Sequence, residues 1–157
     1  MKKINFLNKL HSEGKLKLVE PSNEIKDSYI EKSESNLLAS KILLERNLLE
    51  ESISMTYYSM YHITTALFFK CGIKCENHSA TIIILKEIFN IDNNEISTAK
   101  EERIDKQYYT NFHINKQDVL EAISTTEKFN SNIRDFISKI SNEKIEQIRK
   151  KLLGVIS

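Results

Sequence analysis

The stretch "LEESISMTYYSMYHITTALFFKCG", Leu49 to Gly72, places Leu49, Ile53, Tyr57, Met60/Tyr61, Thr64 and Leu67/Phe68 at steps of three and four. That spacing is one face of an α-helix. Gly72 stands just past the last of them, and glycine most readily takes the left-handed backbone that ends a helix. The stretch therefore predicts a helix over 49–71. Residues three or four apart share a face, so Tyr57, Tyr61 and Thr64 form one stripe and Tyr58, His62, Thr65 and Phe69 the adjacent one. If the first stripe faces the core, Tyr58 and His62 line a groove or an interface, where an imidazole can titrate and a phenol can donate a hydrogen bond. The plainer alternative is a histidine satisfied in or beside the core.

Similar patterns flank this helix. From Glu24 to Arg46, Ile25, Tyr29, Leu37, Ala39/Ser40 and Leu44 recur at helical spacing, and Asn47 is a natural stop because asparagine tolerates a left-handed cap. "GIKCEN" reads as a loop leading to a cap at Asn77 or Ser79 and to "SATIIILKEIFN", apolar nearly all round and so buried between neighbours. "NIDNNE" reads as a turn. From Lys116 onward Val119, Ile123, Thr126, Phe129, Ile133, Phe136/Ile137 and Ile140 hold the rhythm for six turns, and Ile145, Ile148 and Leu152 extend it into a last helix. Before all of these, residues 3–12 predict a short helix stopped by Gly14, and "GKLKLVEPSN" reads as a linker. Strand-like alternation is missing. The reading is all-α, a bundle of four to five helices over 24–157 preceded by an arm over 1–23.

Composition agrees. Three glycines and one proline in 157 residues leave few helix breakers, which favours few, long helices. Twenty-three Lys plus Arg against 22 Asp plus Glu give a formal charge of +1, so any nucleic-acid surface must be local. No apolar run is long enough to span a bilayer and the amino terminus lacks a signal-peptide core, so the expectation is a soluble cytoplasmic protein with no membrane contact. Two cysteines give no disulfide framework. Cys71, Cys75 and His78 offer soft ligand types, but a structural zinc site has a tighter cysteine pair and a second ligand pair, so neither metal nor cofactor is expected. P-loop, dinucleotide fingerprint, zincin helix and serine elbow are likewise absent.

A second polar aromatic cluster, "AKEERIDKQYYTNFH", runs from Ala99 to His113 and holds Arg103 five and six residues before Tyr108 and Tyr109. An arginine with nearby tyrosines suits a phosphate and a stacked base. It equally suits an arginine that covers aromatic surface and pairs with Glu102 or Asp105. The basic cluster Arg149, Lys150 and Lys151 reads as a solvated face.

Tyr57, Tyr58, Met60, Tyr61 and His62, then Gly72, then His78 with Ser79, and later "ERIDKQYY", together resemble the HEPN domain (higher eukaryotes and prokaryotes nucleotide-binding) over roughly residues 24 to 140. The resemblance implies an antiparallel four-helix bundle with an extra short helix, paired as a homodimer. Members often accompany small nucleotidyltransferases, and several are toxins or defence proteins that cut RNA without a metal. In those nucleases an arginine and a histidine four to six residues apart act on the scissile phosphate. Here Arg103 is followed in that window by Tyr108, Tyr109 and Thr110, His113 comes only after nine intervening residues, and Arg46, Arg134 and Arg149 have no histidine in range. The resemblance thus points to His62, His78 and Arg103 as candidate catalytic residues converging in space, and to Tyr57, Tyr58, Tyr108 and Tyr109 as ligand-binding. Three readings stay open: a nucleotide- or RNA-binding protein of a toxin-antitoxin, defence or nucleotidyltransferase-linked system, a metal-independent ribonuclease, and a non-catalytic dimerisation or partner-interaction module.

Overall fold

The structure, a computed structural model, describes residues 1–108 and 113–156. Among them the elements run α1 (Lys2–Ser12), β1 (Leu16–Leu18), α2 (Asn23–Glu45), α3 (Leu49–Cys71), β2 (Ile73–Cys75), α4 (His78–Glu87), α5 (Asn94–Tyr108), α6 (Lys116–Lys139) and α7 (Asn142–Ile156). The fold is an all-α bundle. Its axis is α3, which packs against α2, α5, α6, α4 and α7 and buries Tyr57, Met60, Ile63, Leu67 and Phe68.

The stop signals act as their chemistry dictates. Asn47 takes φ 59° and closes the short connection from α2 to α3, while Gly72 takes φ 75° at the end of α3. Ser22 caps α2 by accepting from the Ile25 N–H at 3.1 Å, and Asn77 caps α4 by accepting from the Ala80 N–H at 2.9 Å. In α6, Asn115 and Asp118 satisfy one another's backbone N–H groups in a capping box.

Four serines join α2 to α3. Ser33 Oγ donates to the Ser59 carbonyl at 2.7 Å and Ser59 Oγ donates back to the Ser33 carbonyl at 2.8 Å. Ser40 and Ser52 repeat the exchange at 3.0 and 2.7 Å. All four are fully buried. Each pair lies seven residues from the next on its helix, so both fall on one seam, and their small side chains let the two backbones approach closely. From α6, Asn130 Nδ2 donates to Ser59 Oγ at 2.9 Å, joining a third helix to the same point. The pairs Glu34 with Arg134 and Lys41 with Glu127 show α2 antiparallel to α6 as well as to α3.

Three local readings change. The stretch read as a linker contains β1, and the "GIKCEN" loop contains β2; they pair antiparallel, Leu16 opposite Cys75 and Leu18 opposite Ile73. Three-residue strands are too short for alternation to show. α5 begins inside the stretch read as a turn, because only Ile96 of its early residues is fully buried and its apolar signal is thin. Arg149 is no solvated residue. Its Nη1 donates to the carbonyls of Val19, Gly72 and Cys71 at 2.8, 2.9 and 3.0 Å, tying the end of α3 to the chain that leaves β1 and satisfying the last carbonyl of the helix at Cys71. Lys150 and Lys151 are exposed. A Cβ at Gly72 would run into the Arg149 guanidinium and the Val19 carbonyl, so that position needs glycine for space as well as for backbone angle.

With Asn130 anchored on it, Ser59 carries more than the outer pair. Ser59→Ala is expected to lower unfolding free energy by about 1–3 kcal/mol, because it leaves the buried Asn130 amide only its longer bond to Ser33 Oγ at 3.4 Å, and Ser52→Ala by roughly 1 kcal/mol, measured by urea denaturation. Equal losses would show that Asn130 gains nothing from Ser59.

Candidate functional site

Along one side of α3 the rings form a continuous belt. Phe69 stacks on Tyr29 of α2 with centroids 5.6 Å apart, and Tyr29 lies 5.9 Å from His62. His62 meets Tyr58 and Tyr61, and Tyr61 stacks on His78 at 4.0 Å. His78 Nδ1 is 2.8 Å from the Tyr57 hydroxyl. At the far end Arg103, carried by α5, spreads over the rings of Tyr57 and Tyr58 at 5.3 and 5.2 Å and donates from Nη1 to the Tyr58 hydroxyl at 2.7 Å. Tyr29, Tyr58, Tyr61, His62, Phe69, His78 and Arg103 are all partly exposed, so the belt presents a half-exposed aromatic surface.

The fold places each member for a local reason. The two stripes of α3 separate only in part: Tyr57 and Thr64 are buried and Tyr58 and His62 look outward, but Tyr61, on the stripe expected to face the core, is partly exposed beside His62 and His78. His78 opens α4 because Asn77 caps it, and Ser79 beside it accepts from Lys100 Nζ of α5 at 2.7 Å. Across the α2–α3 seam, His62 Nδ1 lies 2.6 Å from Asn36 Oδ1.

The charged groups beside the two imidazoles, Lys32 at His62 and Arg103 and Lys100 at His78, are cations. Partial burial, with Lys32 and His78 nearby, pulls His62 down to about 4. Burial, Arg103 and Lys100 likewise lower His78. Both rings are neutral at pH 7. Burial raises the Tyr57 and Tyr61 phenols, which keep their protons. Among the described residues Arg103 forms no ion pair, and its Nε is a buried donor without a partner. Among the described residues this surface therefore brings cation, aromatic faces and neutral imidazole together.

The profile of the HEPN domain family matches residues 27–146, from the second turn of α2 into α7. This chain belongs to the HEPN family. The UPF0332 protein PH1297 of Pyrococcus horikoshii is 39% identical over 56 residues, which cover 36% of this chain and 39% of that protein. The chain thus aligns with well under half the length of this curated relative.

In this HEPN chain His62, His78, Arg103, Tyr57 and Tyr58 share one site although they come from three helices. Tyr57 is 0% exposed, so it reaches the groove only through its hydroxyl on His78 and offers no face to a ligand. Tyr109 and the side chain of Tyr108 lie outside the described residues. His113 is exposed at the start of α6. Cys71 is buried with its thiol pushed up to about 12, and Cys75 donates to the Asn77 carbonyl; among the described residues no three His, Cys, Asp or Glu side chains gather as metal ligands would. Asn36, Lys100 and Lys32 belong to the site and were not singled out from the sequence. Polar residues on helix surfaces carry no signal until the packing shows what they face. No helix among the described residues is long and apolar enough to cross a membrane.

A histidine whose folded pKa lies below its unfolded value binds its proton more readily when the chain unfolds. Stability of this HEPN domain is therefore full above about 6.5 and falls as pH drops toward 4. His62→Gln is expected to flatten the loss of melting temperature between pH 6.5 and 4.5. An unchanged pH profile would show that His62 protonates freely in the folded state.

Proposed function

We propose that this HEPN protein binds the phosphate and base of a nucleotide or of RNA in the groove between α2, α3, α4 and α5. The observation that carries the reading is the company of the two neutral imidazoles, whose charged neighbours Lys32, Lys100 and Arg103 are all cations beside half-exposed aromatic rings. An anion placed there would meet charge-assisted donors, and a base would find Tyr58, His62 and Tyr29 to stack on. Arg103 holds phosphate, Lys100 adds a second cation, and the rings take the base.

Convergence of His62, His78 and Arg103 supports a second reading, metal-independent cleavage of RNA. In that chemistry a neutral imidazole takes the 2′-hydroxyl proton as the oxygen attacks the adjacent phosphorus, the 5′-oxygen leaves and is protonated by solvent, and a guanidinium offsets the charge on the phosphorane. Four to six intervening residues are not needed if packing brings the groups together. The exposed Leu38 and Ile42 of α2 and Leu120 of α6 support an interaction face as well, for a second copy or for a small nucleotidyltransferase in a cytoplasmic toxin-antitoxin or defence system.

Titration of a fluorescent single-stranded RNA at two salt concentrations tests the groove. Arg103→Ala should weaken binding about tenfold or more, as loss of a charge-assisted pair requires, and Lys100→Ala should reduce the salt dependence. Equal affinity of Arg103→Ala and wild type, with both folded, would remove the binding reading. The same RNA incubated in excess chelator decides the second: cleavage by wild type that His62→Ala abolishes supports it, and intact RNA throughout rejects it.

A further inference from the structure

Each histidine of the groove is tied at Nδ1 to a different kind of group. For His62 the partner is the Asn36 amide, whose Oδ1 lies 2.6 Å away. The other end of that amide, Nδ2, lies 4.0 Å from the Met55 thioether, which accepts weakly and cannot donate. The NH2 therefore belongs on Met55 and the carbonyl on His62. A carbonyl only accepts, so His62 must carry its proton on Nδ1 and keep a lone pair on Nε2.

For His78 the logic reverses. Tyr57 is 0% exposed, burial keeps its phenol protonated, and the hydroxyl's hydrogen-bond partner among the described residues is His78 Nδ1 at 2.8 Å. A hydroxyl hydrogen pointed elsewhere would be buried and unpaired, at about 1–3 kcal/mol. The phenol thus donates to Nδ1, and the neutral ring carries its proton on Nε2.

We propose that Asn36 and Tyr57 are positioning residues that hold His62 and His78 in opposite tautomers, giving the groove one imidazole acceptor at His62 Nε2 and one imidazole donor at His78 Nε2–H. Tyr61 lies between the two rings, against both. A ligand seated along the belt meets a base at one ring and a hydrogen-bond donor at the other with no proton moved beforehand. Tyr57, fully buried, offers a ligand no surface, and Asn36 acts through His62. The use of the pair by a ligand rests on the binding reading above; the tautomers themselves do not.

Nitrogen-15 NMR of ligand-free, histidine-labelled protein at pH 7 tests it, since protonated and unprotonated ring nitrogens resonate far apart and His62 and His78 can be assigned with His→Gln variants. His62 is expected to show a protonated Nδ1, and His78 a protonated Nε2. Asn36→Leu should move His62 toward the Nε2-protonated form that a free imidazole prefers, while Asn36→Asp should retain the Nδ1 proton and raise the pH at which His62 titrates. Tyr57→Phe should leave His62 unchanged and raise the fraction of His78 protonated at Nδ1. The same tautomer on both histidines of the wild type would overturn the proposal, even if no Asn36 or Tyr57 variant folds, and so would an unmoved His62 in folded Asn36→Leu. Opposite tautomers in a protein that binds no RNA would uphold it and remove the binding reading alone.

Discussion

The serine seam between α2 and α3 is the constraint on which the site depends. Reciprocal hydroxyl-to-carbonyl bonds at Ser33 with Ser59 and at Ser40 with Ser52 fix both the closeness and the register of the two helices. Asn36 stands three residues after Ser33, and His62 stands three after Ser59. In an antiparallel pair every side chain leans toward its own helix N-terminus, so these two lean toward one another across the Ser33–Ser59 contact. Their 2.6 Å approach follows from the register. A slip of one turn would carry Asn36 about 5.4 Å along the seam, beyond reach of the imidazole.

Apolar side chains could pack α2 on α3, but they would also separate the backbones and tolerate sliding. Directional bonds between small residues do neither. The cost is a seam with little hydrophobic area, which fits an α2 that buries only Ser33 and Ser40 fully while Leu38 and Ile42 stay exposed. Stability must then come from the other side of α3, where Leu67, Phe68, Ile84, Leu85, Ile133 and Leu152 form the main core. The molecule is therefore asymmetric about its central helix. One side supplies burial, and the other supplies a polar and aromatic surface held in register.

That asymmetry explains what the sequence revealed. The central helix, its end at Gly72, the stop at Asn47 and the long α6 were legible because periodicity and capping are local properties of the chain. The division of α3 into a buried stripe at Tyr57 and a half-exposed one at Tyr58 and His62 was legible for the same reason. α5 was not, since Ile96 is the one fully buried apolar side chain among its described residues and its sequence is otherwise dominated by polar and charged residues, which leaves a thin period to read. Asn36 and Lys100 were invisible because their partners are 26 and 21 residues away in the chain. The serines do leave a trace, two pairs each spaced by seven, but a small polar side chain carries no apolar signal that distinguishes a buried seam from a solvated face.

Arg103 lies on α5 and the two histidines on α3 and α4, so no single helix sets the distance between cation and imidazole. A pair four to six residues apart on one helix keeps its separation whatever the rest of the chain does. Here the separation is a property of packing. The guanidinium is held by what it covers, the rings of Tyr57 and Tyr58 and the Tyr58 hydroxyl, and Lys100 one turn earlier on α5 ties the same helix to Ser79 beside His78. The aromatic residues thus do two jobs, forming the groove and fixing the cation in it. Substitution of Tyr58 would then disturb the position of Arg103 as well as the surface offered to a base, which is why the tyrosine pair and the arginine belong to one unit although 45 residues separate Tyr58 from Arg103 in the chain.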